Sequence, residues 1–301
     1  MINLNRAKKT DRIMKALTGM TIKEFEGLAI TYGLVLLKYQ ATRKPKRQRA
    51  VGGGRHHTLT TPEERLFFVL FYVKCYPTLD LGGVFFEVDK SRIQRWVKEL
   101  LPLLEEALGR EVVLPARKIN SVEEFMAQFP EVKDLFVDAT ERPVRRPVAP
   151  KQQYQHYSGR KGRHTKKSLV AADEDGRILI LPPAKPGRRS DYFRFKQSGM
   201  GDVLPPGVTP WVDLGFLGIK KDFPNLEVVI PHKKPKNGAL TPEQRAENKI
   251  ISQIRIRIEH AIGRVKRFRA VSDIYRNHGG QWADKFILIA AGLSNYHLRF
   301  A

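Results

Sequence analysis

The fold of this chain is predicted from the stretch KSLVAADEDGRILILP at residues 167–182. Two short apolar runs flank the turn sequence Asp173-Glu-Asp-Gly176, a pattern typical of two strands joined as a hairpin. Further runs of this kind are DLFVDAT at 134–140, TPWVDLGF at 209–216 and LEVVIP at 226–231. Helical patterns follow near Ser190 to Gln197, at 241–268 and at 281–298. This order predicts a mixed α/β sheet with helices on its faces.

Helix starts are marked by the capping-box pattern, in which Ser or Thr is followed three residues later by Glu or Gln. The pairs are Thr21/Glu24, Thr61/Glu64, Ser121/Glu124 and Thr241/Gln244. They predict helices beginning near residues 22, 62, 122 and 242. After the second of these, the sequence predicts a helix to Tyr76, a short helix around Leu79 to Phe86, and a third helix capped by Asp89.

The charge balance is strongly basic, with 54 Lys and Arg against 31 Asp and Glu and a formal net charge of +23. Such an excess favours a polyanionic partner, and nucleic acid is the leading candidate. Cys75 is the single cysteine, which excludes an intrachain disulfide and fits a reducing cytoplasm. The apolar stretches are far shorter than the ~20 residues that span a bilayer, so no membrane location is expected.

Four segments are predicted along the chain. Residues 1–40 form an N-terminal helical segment, 41–60 a basic flexible linker, 61–112 a helical domain and 113–301 the α/β domain. The linker cations are Arg43, Lys44, Lys46, Arg47 and Arg49. They are interpreted either as an arm that follows a minor groove or as a tether with general affinity for phosphates.

The first segment carries an apolar stripe at helical spacing. Its members are Phe25, Leu28, Ala29, Tyr32, Leu36 and Tyr39. Periodicity alone allows two ways to bury this stripe, which are dimerisation and packing back onto the rest of the chain. Dimerisation through this stripe gives the hypothesis that residues 1–40 mediate self-association.

Three acidic residues stand out by their positions. Asp138 closes the predicted strand LFV, and Asp213 closes the predicted strand TPWV. Glu259 lies on a predicted helix, next to the apolar face of that helix. Strand ends meet at one edge of a sheet, where a helix that passes nearby can contribute a third carboxylate. The three carboxylates could then hold two Mg²⁺ or Mn²⁺ ions for phosphodiester chemistry. The alternatives are that the aspartates form turns and that Glu259 belongs to a surface ion pair.

The stretch RIRIEHAIGRVKRFR at 255–269 resembles the C-terminal signature of DDE transposases of the insertion-sequence-five and Harbinger group, Tyr-x2-Arg-x3-Glu-x6-Lys. Arg255, Glu259 and Lys266 match it, whereas Ser252 occupies the tyrosine position. The blocks FVDATERPV and WVDLGFLG resemble those that carry the two family aspartates. Between them, Tyr157 to Lys161 resembles a further family motif. The resemblance covers about residues 60 to 298.

This resemblance implies an RNase H-like catalytic core, with Asp138, Asp213 and Glu259 as metal ligands and catalytic residues and Mg²⁺ as cofactor, for which Mn²⁺ substitutes. Water would attack the phosphodiester at the end of the element, and the freed 3′ hydroxyl would then attack target DNA. The cations implied to contact DNA near this site are Arg160, Lys161, Lys166, Lys167, Arg255 and Lys266. For the two adjacent lysines, a solvated strand edge is the alternative.

Residues 62–108 resemble the helix-turn-helix that precedes the core in this group. The first turns of the last helix carry Lys90, Ser91, Arg92, Gln94 and Arg95. Such positions enter the major groove when a recognition helix docks, although they could also bind phosphates without reading sequence. Ile93 and Trp96 fall at core-facing spacing.

The expected activity is therefore transposition in the cytoplasm, in association with the nucleoid. The partners implied are double-stranded DNA, as terminal inverted repeats and target, and a homodimer or higher homo-oligomer. A transposase-derived DNA-binding regulator without catalysis is the alternative. RNA binding is less favoured because no aromatic motif for stacking on single strands is evident in the sequence.

Overall fold

The computed structural model describes residues 2–42, 58–276 and 281–301. The five predicted linker cations, from Arg43 to Arg49, lie outside these residues. The chain divides into two compact units. We call residues 1–114, 266–273 and 285–301 the helical unit, and residues 115–265 and 274–284 the sheet unit.

The helices are α1 (Leu4–Ala7), α2 (Asp11–Thr18), α3 (Ile22–Thr42), α4 (Pro62–Cys75), α5 (Leu79–Phe86), α6 (Lys90–Arg110), α7 (Val122–Gln128), α8 (Pro150–His156), α9 (Asp191–Ser198), α10 (Met200–Val203), α11 (Ile219–Asp222), α12 (Pro242–Lys266), α13 (Arg269–Ser272) and α14 (Gln281–Leu298). The four helix starts predicted from capping boxes are confirmed. At α4, the amide of Glu64 donates to Thr61 Oγ1 and the amide of Thr61 donates to the Glu64 carboxylate, both at 3.1 Å.

The core of the helical unit is built from aromatic side chains. The ring of Phe68 lies 5.1 Å from the ring centroids of both Phe86 and Trp96 in edge-on contacts. Ile93 and Trp96 are buried, as their spacing on α6 predicts. Edge-to-face pairs of this kind add to the free energy gained from burial alone, so they stabilise the contact of α4 with α5 and α6.

Four of the six residues in the apolar stripe of α3 are buried within their own chain. Phe25, Leu28 and Tyr32 are fully buried, and Leu36 is 2% exposed. Helix α3 packs on α4 and α6 in the same compact unit. Residues 1–40 are thus not separated from the helices that follow, and this stripe is not available for the self-association inferred from it.

The C-terminal helix belongs largely to the helical unit, from Lys285 onward. The Phe286 ring contacts Tyr76 edge-on at 5.6 Å, and His297 Nδ1 lies 2.6 Å from a carboxylate oxygen of Glu24. The compact units therefore differ from the predicted segments, in which residues 113–301 form one domain. Helix α14 joins the helical unit because side chains of the helical unit bury its apolar face.

In the part of the chain that the structure describes, six strands form one mixed sheet. They are β1 (Asp134–Pro143), β2 (Tyr157–Ser158), β3 (Arg163–Ala172), β4 (Ile178–Ile180), β5 (Lys185–Pro186) and β6 (Thr209–Trp211). Strand β3 pairs antiparallel with β1, β2, β4 and β5, and β1 pairs parallel with β6. The predicted hairpin between β3 and β4 is confirmed, with Gly176 donating to the Asp173 carbonyl oxygen at 3.0 Å.

One predicted strand is wrong. The run LEVVIP forms a single bridge, from Val229 to Trp211, instead of a strand. Helices α7 and α9 pack on the sheet through Phe125 and Phe195, both fully buried in its core. The predicted mixed α/β sheet flanked by helices is confirmed. No helix of the described residues is long and apolar enough to cross a membrane.

Candidate active site

Two of the predicted acids lie on, or just after, neighbouring parallel strands. Phe136 of β1 is opposite Trp211 of β6, so Asp138 and Asp213 each follow this pair by two residues. The prediction that Asp138 closes its strand is wrong, because β1 continues to Pro143 and Asp138 pairs with Val170 of β3. Strand β6 does end just before Asp213. The shared register therefore brings the two carboxylates together.

Asp213 combines a turn-forming role with its place at the sheet edge. Its Oδ1 accepts a hydrogen bond from the amide of Gly215 at 2.8 Å and so caps the short 3₁₀ helix Leu214–Phe216. A Cβ atom at Gly215 would lie 2.8 Å from Asp213 Oδ1 and 3.5 Å from Asp191 Oδ2. A glycine is needed at this position because two carboxylates approach it closely.

The electrostatics of Asp138 reflect this crowding. Burial, together with the negative charges of Asp213 and Asp191, raises the pKa of Asp138 to about 6. The amide of Ala139, which donates to Asp138 Oδ1 at 2.7 Å, and the charge of Arg255 oppose the shift in this pKa. The negative charges of neighbouring carboxylates disfavour ionisation of one another. A cation bound among them would offset this repulsion.

A buried ion cluster adjoins these acids. Lys167 lies opposite Glu141 in the β1–β3 pair, with 3.3 Å between its Nζ and a carboxylate oxygen of Glu141. The same Nζ donates to Asp191 Oδ1 at 2.6 Å and to the Arg189 carbonyl oxygen at 2.9 Å. The predicted contact of Lys167 with DNA is wrong, because its side chain is 7% exposed and is held by two carboxylates.

Helix α12 brings the predicted signature residues alongside the sheet only in part. Arg255 is close enough to act on Asp138, and its Nε is buried without a hydrogen-bond partner in the described structure. Glu259, one turn further on, is exposed, as is Lys266 at the end of the helix. Within the described residues, no three acidic, histidine or cysteine side chains are arranged as a metal site. Asp138 and Asp213 nevertheless form a pair of carboxylate donors of the kind that Mg²⁺ prefers.

The other predicted cations of the sheet unit differ in exposure. The side chain of Arg160 is 74% exposed, and its Nη1 lies 3.9 Å from Asp191 Oδ2. Lys161 is exposed. Lys166 is half-buried, and burial lowers its pKa. Arg160 and Lys161 are therefore available to a phosphate backbone.

The predicted recognition positions lie at the start of α6. Asp89 caps this helix as predicted, since its Oδ1 accepts from the amide of Ser91 at 2.7 Å. Lys90, Ser91, Gln94 and Arg95 are exposed, and Arg92 is half-buried. Four of these side chains are thus open to solvent on one exposed face of the helical unit.

Residues 137–295 match the family described as DDE superfamily endonuclease, and residues 57–110 match the helix-turn-helix of DDE superfamily endonuclease. The chain belongs to the DDE superfamily of endonucleases. This endonuclease is 31% identical to a protein of Microchaete diplosiphon named as a transposase for insertion sequence element IS702, over 94% of the chain and 96% of the relative. It is 28% identical to a protein of Streptomyces albus G named as a transposase for IS112, over 74% and 76% of the two chains. No solved structure matches.

The fold of this endonuclease is an RNase H-like catalytic core with a helical helix-turn-helix region, as predicted. Sequence reasoning missed Asp191 and Glu141. The sequence predicts a helix near Ser190 to Gln197, and an acid in the first turn of a helix is ordinarily explained by the helix dipole. The strand register sets Glu141 opposite Lys167, and the Lys167 Nζ hydrogen bond to Asp191 Oδ1 links the second acid to the site.

Proposed function

We propose that this endonuclease is a DNA transposase of the insertion-sequence-five and Harbinger group. It would bind the terminal inverted repeats of its element, cleave the phosphodiester backbone, and join the 3′ hydroxyl ends to target DNA at the nucleoid. The observation that carries the proposal is the placement of Asp138 and Asp213 at equivalent positions, two residues beyond the paired Phe136 and Trp211 of adjacent parallel strands, beside the cation of Arg255. The names of the two relatives support it.

The proposed metal ligands are Asp138, Asp213 and Glu259. Mg²⁺, for which Mn²⁺ would substitute, supplies Lewis-acid stabilisation of charge on phosphate oxygens when bound. Glu259 is supported by its spacing of one helical turn from Arg255, whose charge acts on Asp138. Asp191 is an additional carboxylate at the same edge of the sheet, held in place by Lys167.

The remaining residues of the proposed site would bind and orient the DNA. Arg255 and Lys266 would stabilise phosphate charge near the cleaved bond as charge-assisted donors. Arg160 and Lys161 would hold the backbone beside the acids. Lys166 is a weaker candidate because it is half-buried. The exposed face of α6, together with the linker cations, would supply recognition of the element's ends.

The decisive experiment is cleavage of a DNA duplex carrying the element's end, with and without Mg²⁺. We expect Asp138→Asn, Asp213→Asn and Glu259→Gln each to abolish cleavage while DNA binding persists, because metal ligands are removed and the DNA-reading surface is not. Asp175→Asn, in the exposed β3–β4 turn, is the matched control and should cleave normally. Wild-type cleavage by one of the three variants would remove that residue from the site. Binding without cleavage by the wild type would favour a non-catalytic regulator.

We further propose that the protein acts as a homodimer or higher homo-oligomer, because coordinated joining requires two ends to be held together. Light scattering of the full chain, with and without DNA carrying the element's end, would measure the mass of the complex. A mass corresponding to one subunit on one end under all conditions would contradict this proposal.

A further inference from the structure

A cavity of about 750 Å³ opens on the surface of the sheet unit. Helix α8, strands β2 and β3, and the segment after β5 form its walls. The side chains that line it are Arg146, Gln153, Tyr154, Tyr157, His164 and Arg188. Its volume lies within the range of about 300 to 1,000 Å³ found for small-ligand sites.

The lining combines aromatic faces with cations. The Arg188 guanidinium carbon lies 3.3 Å from the centroid of the Tyr154 ring, and Tyr154 remains 63% exposed. Tyr157, which is 47% exposed, contacts His164 edge-on at 5.6 Å. Among the described residues, no acidic side chain lines the cavity. Aromatic faces interleaved with cations are the chemistry that binds unpaired nucleotides of a single strand.

The arginine of one wall is held in place by its neighbours. Arg146 donates from Nε and Nη2 to the side-chain oxygen of Gln153 at 3.1 and 2.9 Å, and Gln153 in turn donates to the Val148 carbonyl oxygen at 3.1 Å. On the opposite wall, the amide of Arg188 donates to the Gln155 carbonyl oxygen at 3.2 Å. These contacts hold the Arg146 guanidinium and the backbone of Arg188 at a site where Tyr154 and Tyr157 stay exposed to solvent.

The cavity adjoins the acids of the proposed active site. Arg188 precedes Asp191 by three residues, which span at most about 11 Å of chain. On the other wall, Gly159 lines the cavity and the next residue, Arg160, places its Nη1 3.9 Å from Asp191 Oδ2. A DNA strand that passes the acids is therefore within reach of the cavity.

We propose that this cavity binds an unpaired nucleobase of the DNA strand that adjoins the cleaved phosphodiester. The inference rests on the proposed DNA cleavage and assigns a base-binding site to the same active site. Bases within a duplex are stacked and cannot enter, so the cavity would act on an overhang, a melted end or an extruded nucleotide. Tyr154 and Tyr157 would stack on the base, and Arg146 and Arg188 would bind the adjacent phosphates.

The test compares two DNAs that differ only in a single-stranded extension at one end. Binding is followed by fluorescence anisotropy of labelled DNA in EDTA, so that no cleavage occurs. We expect the wild type to bind the extended DNA more tightly than the blunt duplex. The double variant Tyr154→Ala/Tyr157→Ala should bind the extended DNA about tenfold more weakly, the loss expected for a stacked base. Its affinity for the blunt duplex should not change.

Two matched variants sharpen the test. Tyr154→Phe/Tyr157→Phe keeps both rings and should retain the preference for the extension. Phe300→Ala removes an exposed ring of the helical unit that lies beneath Lys23, at 5.9 Å, and should bind both DNAs as the wild type does. Thermal unfolding of each variant verifies the fold.

An equal loss of affinity on both DNAs in the alanine double variant, or no loss on either, would overturn the base-binding site. Equal wild-type affinity for the two DNAs would do the same and would leave the proposed cleavage untouched. Failure of the wild type to bind any DNA would instead contradict the proposed function.

Discussion

The cations of α6 and two cations beside the acids of the sheet unit, Lys167 and Arg255, are chemically alike but occupy different environments. Lys90 and Arg95 are exposed, and their hydrogen bonds and ion pairs stay on nearby helical residues. Lys167 is buried between two carboxylates, and Arg255 acts on Asp138. The net charge of the chain therefore serves two purposes, which are a surface for a polyanion and internal compensation of a crowded acid site.

The largest expected effect is on the buried lysine. Lys167→Met leaves Glu141 and Asp191 buried without their cation, and we expect a loss of about 3 to 5 kcal/mol in the free energy of unfolding. Urea denaturation would measure it. Lys166→Met, the neighbouring residue on β3, should cost far less, because its side chain is only half-buried. Equal losses from the two lysines would contradict this difference between neighbours.

A second variant separates charge from packing at this cluster. Adding Glu141→Gln and Asp191→Asn to Lys167→Met removes the unpaired carboxylates and should recover part of the lost stability. If the triple variant is no more stable than the single one, the loss comes from packing around the lysine stem.

On the exposed helix, the expected effect is on recognition and not on folding. Arg92→Ala and Arg95→Ala should each weaken binding to the element's own ends by about 1 to 3 kcal/mol more than binding to random duplex, because arginine reads guanine through two hydrogen bonds. Anisotropy titrations on both DNAs would measure this. An equal loss on the two DNAs would show that α6 contacts phosphates only.

A pH effect is expected at the acid site of the metal-free protein. Because the pKa of Asp138 is raised to about 6 from an ordinary value near 3.8, the folded state retains a proton that the unfolded state releases between these values. Stability should therefore fall as the pH rises through this window. Asp138→Asn does not titrate, so its stability relative to the wild type should increase by up to about 2 kcal/mol between about pH 4 and pH 7.

Urea denaturation in EDTA at the two pH values would measure this change. Asp175→Asn, at an exposed turn, serves as the control. A stability difference between the wild type and Asp138→Asn that does not vary with pH would show that burial and like charges do not act on Asp138 as described.

The smallest effect is expected at the exposed rim of the sheet unit. Lys161→Ala should weaken binding to all duplexes alike and lower the slope of log affinity against log salt by about 1, the value for one lost phosphate contact. Lys15→Ala, on α2 of the helical unit, is the comparison. An unchanged slope would mean that Lys161 is solvated and contacts no phosphate.

Local signals predicted most of the helices. The Thr61/Glu64 box is satisfied by residues three apart, so its hydrogen bonds do not depend on the rest of the chain. The hairpin at Asp173–Gly176 has the same local character. The run LEVVIP was predicted as a strand and forms one bridge, because a strand requires a partner along its length and apolar composition does not supply one.

The sequence by itself determined the helix starts and the β3–β4 hairpin, because capping and turn chemistry act over a few residues. Only the tertiary structure decided the rest. It set Lys167 opposite Glu141, and brought Tyr154 and Arg188 together from segments more than a strand apart. Strand register and the paths of loops decide such pairings, and these depend on distant residues that no local pattern contains.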